Sequence, residues 1–151
     1  MSYLEKILQP GETVQYQSRI HWIVYMPGVL FVCLAAAAYL FGGRLVPEPW
    51  PMGAGVAILI VGVYMLIGAW IHRWTTELAI TDRRIVFKRG LIRRRSIEMN
   101  MDKIESVDVD QSILGRILDY GDITVRGTGT GFEPLQNIDT PIEFRNHVTA
   151  R

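Results

Sequence analysis

Charge is almost missing from one part of this chain. Between Trp22 and Ile71, 50 residues hold only Arg44 and Glu48 of the 31 charged side chains in the sequence. A gap of that length excludes a simple water-soluble globule, whose surface would need ionised residues throughout. Cysteine is nearly absent too. Cys33 stands alone, which excludes an intrachain disulfide, a cysteine-based metal site and a Cys-x-x-Cys redox pair. No His-x-x-x-His spacing and no Gly-x-Ser-x-Gly elbow occurs, and His21, His72 and His147 lie far apart. No catalytic, cofactor-binding or metal-binding residue, and no enzymatic activity, is therefore expected. Apolar residues are not scarce: they make up 49% of the chain, with 10% aromatic, which excludes intrinsic disorder.

What fills the charge gap is two uncharged runs, Trp22 to Phe41 and Met52 to Ile71, each of 20 residues. At about 1.5 Å per residue, either helix covers roughly the 30 Å of bilayer hydrocarbon. Two transmembrane spans are expected. The alternative, a buried core hairpin, suits neither the length nor the exclusion of charge. Trp22, Tyr25, Tyr39, Trp50, Trp70 and Trp74 cluster near the span ends, as interfacial aromatics do. The linker from Gly42 to Pro51, broken by Gly and Pro, makes the spans a tight hairpin. It carries only Arg44, whereas Arg73, Arg83, Arg84, Lys88 and Arg89 follow the second span and Arg19 precedes the first. The positive-inside bias then puts both termini in the cytoplasm. A cleaved signal peptide fits less well than a retained span, because the apolar run continues through Tyr39-Leu40-Phe41 without a polar segment.

Small residues recur every seven positions, at Gly28, Ala35 and Gly42 and again at Gly55, Gly62 and Ala69. Seven residues is nearly two helical turns, so each set lies on one face and permits close backbone approach. These helix-packing seams are expected to face each other or a neighbouring subunit. Pro27 is expected to bend the first span, and Cys33 to be a packing residue.

From Thr75 the pattern changes to period two, the signature of strands. Leu78 with Ile80, Ile85 with Phe87, Val107 with Val109 and Ile123 with Val125 each share a face. A half-buried antiparallel sheet follows, with a tight turn at Thr81-Asp82-Arg83 and further turns at Gly90, Gly115, Gly121 and Gly127. Ser112 to Leu118 reads as a short inserted helix. Thr140-Pro141-Ile142-Glu143 reads as a capping box opening a terminal helix. The organisation expected is a cytoplasmic amphipathic segment at 1–21, a transmembrane hairpin at 22–74 with spans at about 22–41 and 52–71, and a cytoplasmic domain at 75–151.

Thr81-Asp82-Arg83-Arg84-Ile85, Gly90-Leu91, Lys103-Ile104-Glu105-Ser106-Val107 and Gln111 to Gly121 occur in this order. Together with Pro10-Gly11-Glu12 and His21-Trp22, they resemble the bacterial pleckstrin-homology (PH) domain membrane proteins of the YdbS-like group. The resemblance covers nearly the whole chain. It implies an α+β membrane protein, with a two-helix transmembrane hairpin followed by a PH-like split β-barrel of seven strands capped by a C-terminal helix. It implies no catalytic residues.

The charge is split along the chain. Residues 72–95 carry net +6 and residues 96–151 net −5. Arg73, Arg83, Arg84, Lys88, Arg89, Arg93, Arg94 and Arg95 are candidates for a membrane-surface basic patch attracted to anionic lipid. A solvated strand face combined with the topology signal explains the same residues. PH domains that bind phosphoinositides use a basic loop between their first two strands. Thr81-Asp82-Arg83 is too short for such a pocket, so only non-specific lipid attraction is expected. Gly127-Thr128-Gly129-Thr130-Gly131 lacks the strand-to-helix context of a phosphate loop. Glu98, Asp102, Glu105, Asp108 and Asp110 form an outward acidic face without the pattern of a calcium loop. Nucleic acid is not an expected partner, given a net charge of +1. Before Pro10, the side chains of Tyr3, Leu4, Ile7 and Leu8 share one helical face, and Val14 and Tyr16 offer an added strand.

The function expected is a non-enzymatic, membrane-anchored PH-like module on the cytoplasmic face of a bacterial plasma membrane. It would self-assemble as a homo-oligomer and scaffold lipid or a membrane-protein partner. The alternative is a subunit of an oligomeric channel or transport complex, which uncharged spans make less attractive.

Overall fold

A computed structural model describes residues 10–42, 50–90, 95–128 and 134–149. The expected amphipathic residues before Pro10, most of the interhelical linker and the last three residues of the Gly-Thr run lie outside the described residues. Two compact units emerge, one spanning Trp22–His72 and the other joining the chain up to His21 with Arg73 onward.

The first unit is helical. A turn of 3-10 helix at Trp22–Tyr25 leads into α1, Met26–Phe41, and Trp50–Thr75 forms α2. Pro27 falls in the first turn of α1, where its missing N–H removes no helical hydrogen bond. It begins the helix and does not bend its interior, contrary to the expectation from sequence. Both helices are long and apolar enough to cross a membrane, and only 11% of each apolar window is buried. They are not the enclosed core of a soluble fold.

Three glycines lie at the contact between the two helices, two of them against larger side chains. A Cβ on Gly28 would lie 2.7 Å from Leu66 Cγ, and one on Gly62 would lie 3.0 Å from Val32 Cγ2. A Cβ on Gly55 would lie 3.5 Å from the carbonyl oxygen of Ala35. These contacts advance along α1 as they retreat along α2, as antiparallel helices require. Gly28, Ala35, Gly55 and Gly62 are buried, with Gly42 and Ala69 half-buried. Cys33 is exposed and does not pack in this seam, which corrects its expected role.

The second unit begins before the helices. β1, Val14–Ser18, pairs antiparallel with β2, Glu77–Thr81, which pairs with β3, Arg84–Arg89, and that with β4, Arg95–Asn100. A second sheet holds β5, Ile104–Asp110, β6, Tyr120–Gly127, and β7, Leu135–Asp139. Register explains the core, because Leu78 faces Phe87, Phe87 faces Ile97, and Ile80 faces Ile85. Period-two alternation thus puts one apolar row on the inner face. Ile123, Val125, Ile138 and Phe144 are fully buried beside it. α3, Ile113–Leu118, lies between β5 and β6, and α4, Pro141–Thr149, follows β7.

The sheets are joined by the segment that follows β1. Ile20 bridges Ile138, His21 N donates to Asn137 O at 2.7 Å, and Asp139 N donates to Arg19 O at 3.0 Å. The described part of residues 1–21 supplies the strand that Val14 and Tyr16 offer and, beyond it, the link between the sheets. The first two strands are therefore connected through the whole apolar hairpin, and Thr81-Asp82-Arg83 turns between the second and third. Thr81-Asp82-Arg83 is thus not the loop between the first two strands, and its shortness does not bear on a headgroup pocket there.

Candidate functional site

Gly11 has a positive φ of 83°, a conformation glycine adopts without steric cost, and Glu12 follows it. The Glu12 side chain is fully buried and that of Arg84 is 13% exposed. Arg84 Nε donates to Glu12 Oε1 at 2.9 Å and Nη2 to Oε2 at 2.8 Å, while Nη1 reaches Glu98 Oε2 at 2.7 Å. Thr81 Oγ1 donates to Glu12 Oε1 at 2.7 Å. Two main-chain contacts complete the clamp, since Asp82 N donates to Thr13 O at 3.1 Å and Thr13 N to Asp82 Oδ1 at 3.0 Å. Hydrogen bonding to Glu12 raises the Arg84 pKa, against the opposing effect of burial. This fork geometry holds a buried charge that would otherwise be costly. Its chemistry is structural, because the guanidinium already serves two carboxylates.

Among the described residues, the basic side chains do not all share one surface. Arg84 is withdrawn into the clamp, which corrects its place in the patch, and Arg83 projects from the adjoining turn, 3.8 Å from Asp82. At the opposite end of β3, Lys88 pairs in register with Glu77 and Ser96, and Arg89 with Arg95. Arg83 and Lys88 are five positions apart along the chain, about 17 Å at the usual strand rise. The Lys88 and Arg89 end is where β1 runs toward the apolar helices and β2 emerges from them, as the Ser18–Leu78 pairing shows. Arg73 lies in the last turn of α2. Arg93 and Arg94 are outside the described residues.

A second junction ties the N-terminal strand to α4. Tyr16 Oη shares a short hydrogen bond with Thr140 Oγ1, and its ring stacks on His147 with centroids 4.5 Å apart. Burial, foremost, raises the Tyr16 pKa, and Glu143 adds to the rise while the Thr140 bond opposes it. α4 begins at Pro141 as the capping sequence implied. The Thr140 hydroxyl, however, is engaged with Tyr16.

His21 is buried and stacks on Tyr120, while His147 packs on Tyr16. Among the described residues, no group of three or more His, Cys, Asp or Glu side chains could hold a metal ion. Asp102, Glu105, Asp108 and Asp110 are exposed, and Asp108 pairs with Arg126 at 3.1 Å. Glu98 departs from that acidic face. It belongs to β4 in the other sheet and serves Arg84.

Residues 26–151 match the family described as bacterial PH domain. The chain belongs to that family. Neither a curated protein nor a solved structure matches it. The matched segment of this bacterial PH domain protein starts at α1, so β1 and Glu12 precede it. Sequence reasoning quoted Pro10-Gly11-Glu12 and Thr81 to Arg84 without pairing them. The available signal was one of the two acids before the apolar runs, Glu5 and Glu12, and an arginine in a strand after them, which is too weak to specify a partner.

Proposed function

We propose that this bacterial PH domain protein is a non-enzymatic, membrane-anchored binding and assembly module. α1 and α2 cross the cytoplasmic membrane as a hairpin, and the two sheets lie on its cytoplasmic face with both chain ends. There they bind copies of the chain, a membrane-protein partner or anionic lipid. One observation carries the reading: the apolar hairpin is inserted between β1 and β2, whose adjoining ends pair at Ser18 and Leu78. Two neighbouring attachments restrict the domain more than a single flexible linker would. Arg73 in the last turn of α2, with Lys88 and Arg89 beyond it, agrees with a cytoplasmic location and adds non-specific attraction to anionic headgroups. The outer strands β4 and β5 have no neighbour on one side among the described strands, and such edges accept strand addition.

The experiment is extraction from native membranes in mild detergent, followed by intact assembly mass and identification of co-purifying proteins. A homo-oligomer or a stoichiometric partner supports the module. A monodisperse monomer without a partner sinks the assembly role, and recovery of the chain in the soluble fraction sinks the anchor.

A further inference from the structure

Among the described residues outside the two long helices, the most exposed aliphatic side chains sit together on one six-residue helix. α3 leaves Ile113 80%, Leu114 61% and Ile117 72% exposed. Ile113 and Leu114 lie four and three positions before Ile117, on one helical face, and the structure turns all three away from the core.

The helix is built to stay formed. Ser112 Oγ accepts from Gly115 N at 3.1 Å, and Gln111 Nε2 donates to Tyr120 O at 3.1 Å. Asp119, in the left-handed conformation, closes the other end. Gly115 is buried so closely that a Cβ there would lie 2.6 Å from Tyr120 O. An ordered knuckle carrying three exposed aliphatics on so small a unit marks an interaction surface.

Its position identifies the occupant. His21 is the last residue before the apolar segment begins at Trp22, and its ring stacks on Tyr120 with centroids 5.2 Å apart. Tyr120 lies two residues beyond the end of α3. The point from which the chain departs for the apolar helices is thus fixed beside the foot of the exposed knuckle. Arg116, also exposed, is the one charged residue of α3. Aliphatic side chains with a neighbouring cation suit an anionic bilayer interface. A second copy fits poorly, because three side chains supply far less than the roughly 800 Å² per partner of a stable interface.

The geometry points to α3 as a membrane-dipping element, in which Ile113, Leu114 and Ile117 enter the bilayer interface and Arg116 meets anionic headgroups. It rests on the proposed reading that α1 and α2 cross the membrane. It adds a third contact, which fixes the rotation of the domain over the lipid.

The test uses the full chain in vesicles of phosphatidylcholine and phosphatidylglycerol. An environment-sensitive fluorophore is attached to Ile117→Cys, in a Cys33→Ala background. Lipids carrying a nitroxide just below the headgroup should quench it several-fold more than the same probe at Asp108→Cys, and its emission should shift to the blue. Equal access to aqueous iodide at both positions, without lipid quenching, overturns the inference. Protection from both quenchers also overturns it, since a protein would then cover α3. A probe at Ile60→Cys on α2 separates the two levels. Quenching by a deep nitroxide at Ile60 but none at Ile117 removes only the α3 contact, whereas none at Ile60 removes the anchor and this inference together.

Discussion

Glu12 and Arg84 stand 72 positions apart, on opposite sides of the apolar hairpin in sequence, and meet as a bidentate ion pair. The pair fastens the segment before the apolar helices to the β2–β3 turn after them. It makes the domain discontinuous by chemistry as well as by topology.

Removing Glu12 should therefore cost more than removing Glu98. Glu12→Ala leaves a nearly buried guanidinium short of its main partner, a loss of about 3–5 kcal/mol. Glu98 is partly exposed, and Glu98→Ala should cost about 1 kcal/mol or less. Thermal unfolding in detergent, followed by tryptophan fluorescence and limited proteolysis, checks the order. Equal effects would show that the clamp does not hold the unit.

The helix seam offers a contrast between two glycines. Gly62→Leu drives a side chain into Phe31 and Val32, where even a Cβ would be crowded, while a Cβ on Gly68 meets nothing within 4 Å. The first change should destabilise the hairpin by about 1–3 kcal/mol. Gly68→Ala should be neutral or slightly favourable through helix propensity. Melting temperatures of the two variants in one detergent decide the matter.

Tyr16 predicts an alkaline limb of stability. Its pKa is raised in the folded chain, chiefly by burial, so the folded state keeps the phenolic proton to a higher pH than the unfolded state. Its contribution is complete below the unfolded value of about 10 and is lost as pH rises toward the folded value. Tyr16→Phe should cost about 0.5–1.5 kcal/mol at neutral pH and show a shallower decline above about pH 10. Parallel slopes in denaturant titrations across that range would count against the assignment.

The ends of β3 should respond differently to anionic lipid. Arg89 lies at the end joined to the apolar helices, and Arg83 lies at the other. In nanodiscs, phosphatidylglycerol should slow amide exchange in the β3–β4 region by about fivefold, equivalent to about 1 kcal/mol per charge. Arg89→Glu should abolish that difference and Arg83→Glu should leave it. The reverse pattern would place the other end of the sheet on the membrane.

The elements legible in the sequence were those with a local cause. An uncharged run as long as a bilayer is thick marked α1 and α2, alternation marked Leu78 with Ile80 and Ile123 with Val125, and Pro141 marked the start of α4. Even the spacing of Gly28 and Gly62 was visible, because helical periodicity repeats within a few turns. What Glu12 binds was not, since nothing local distinguishes its carboxylate from the other acids in the chain.

The sequence by itself determined which segments are apolar, which alternate and where helices start. Tertiary structure decided that Val14–Ser18 opens the first sheet, that Arg84 is neutralised while Arg83 and Arg89 stand at opposite ends of a hairpin, and that Ile113, Leu114 and Ile117 face outward. The physical reason is range. Propensity and periodicity act between residues a few positions apart, whereas strand pairing, buried ion pairs and exposure depend on what distant segments bring together.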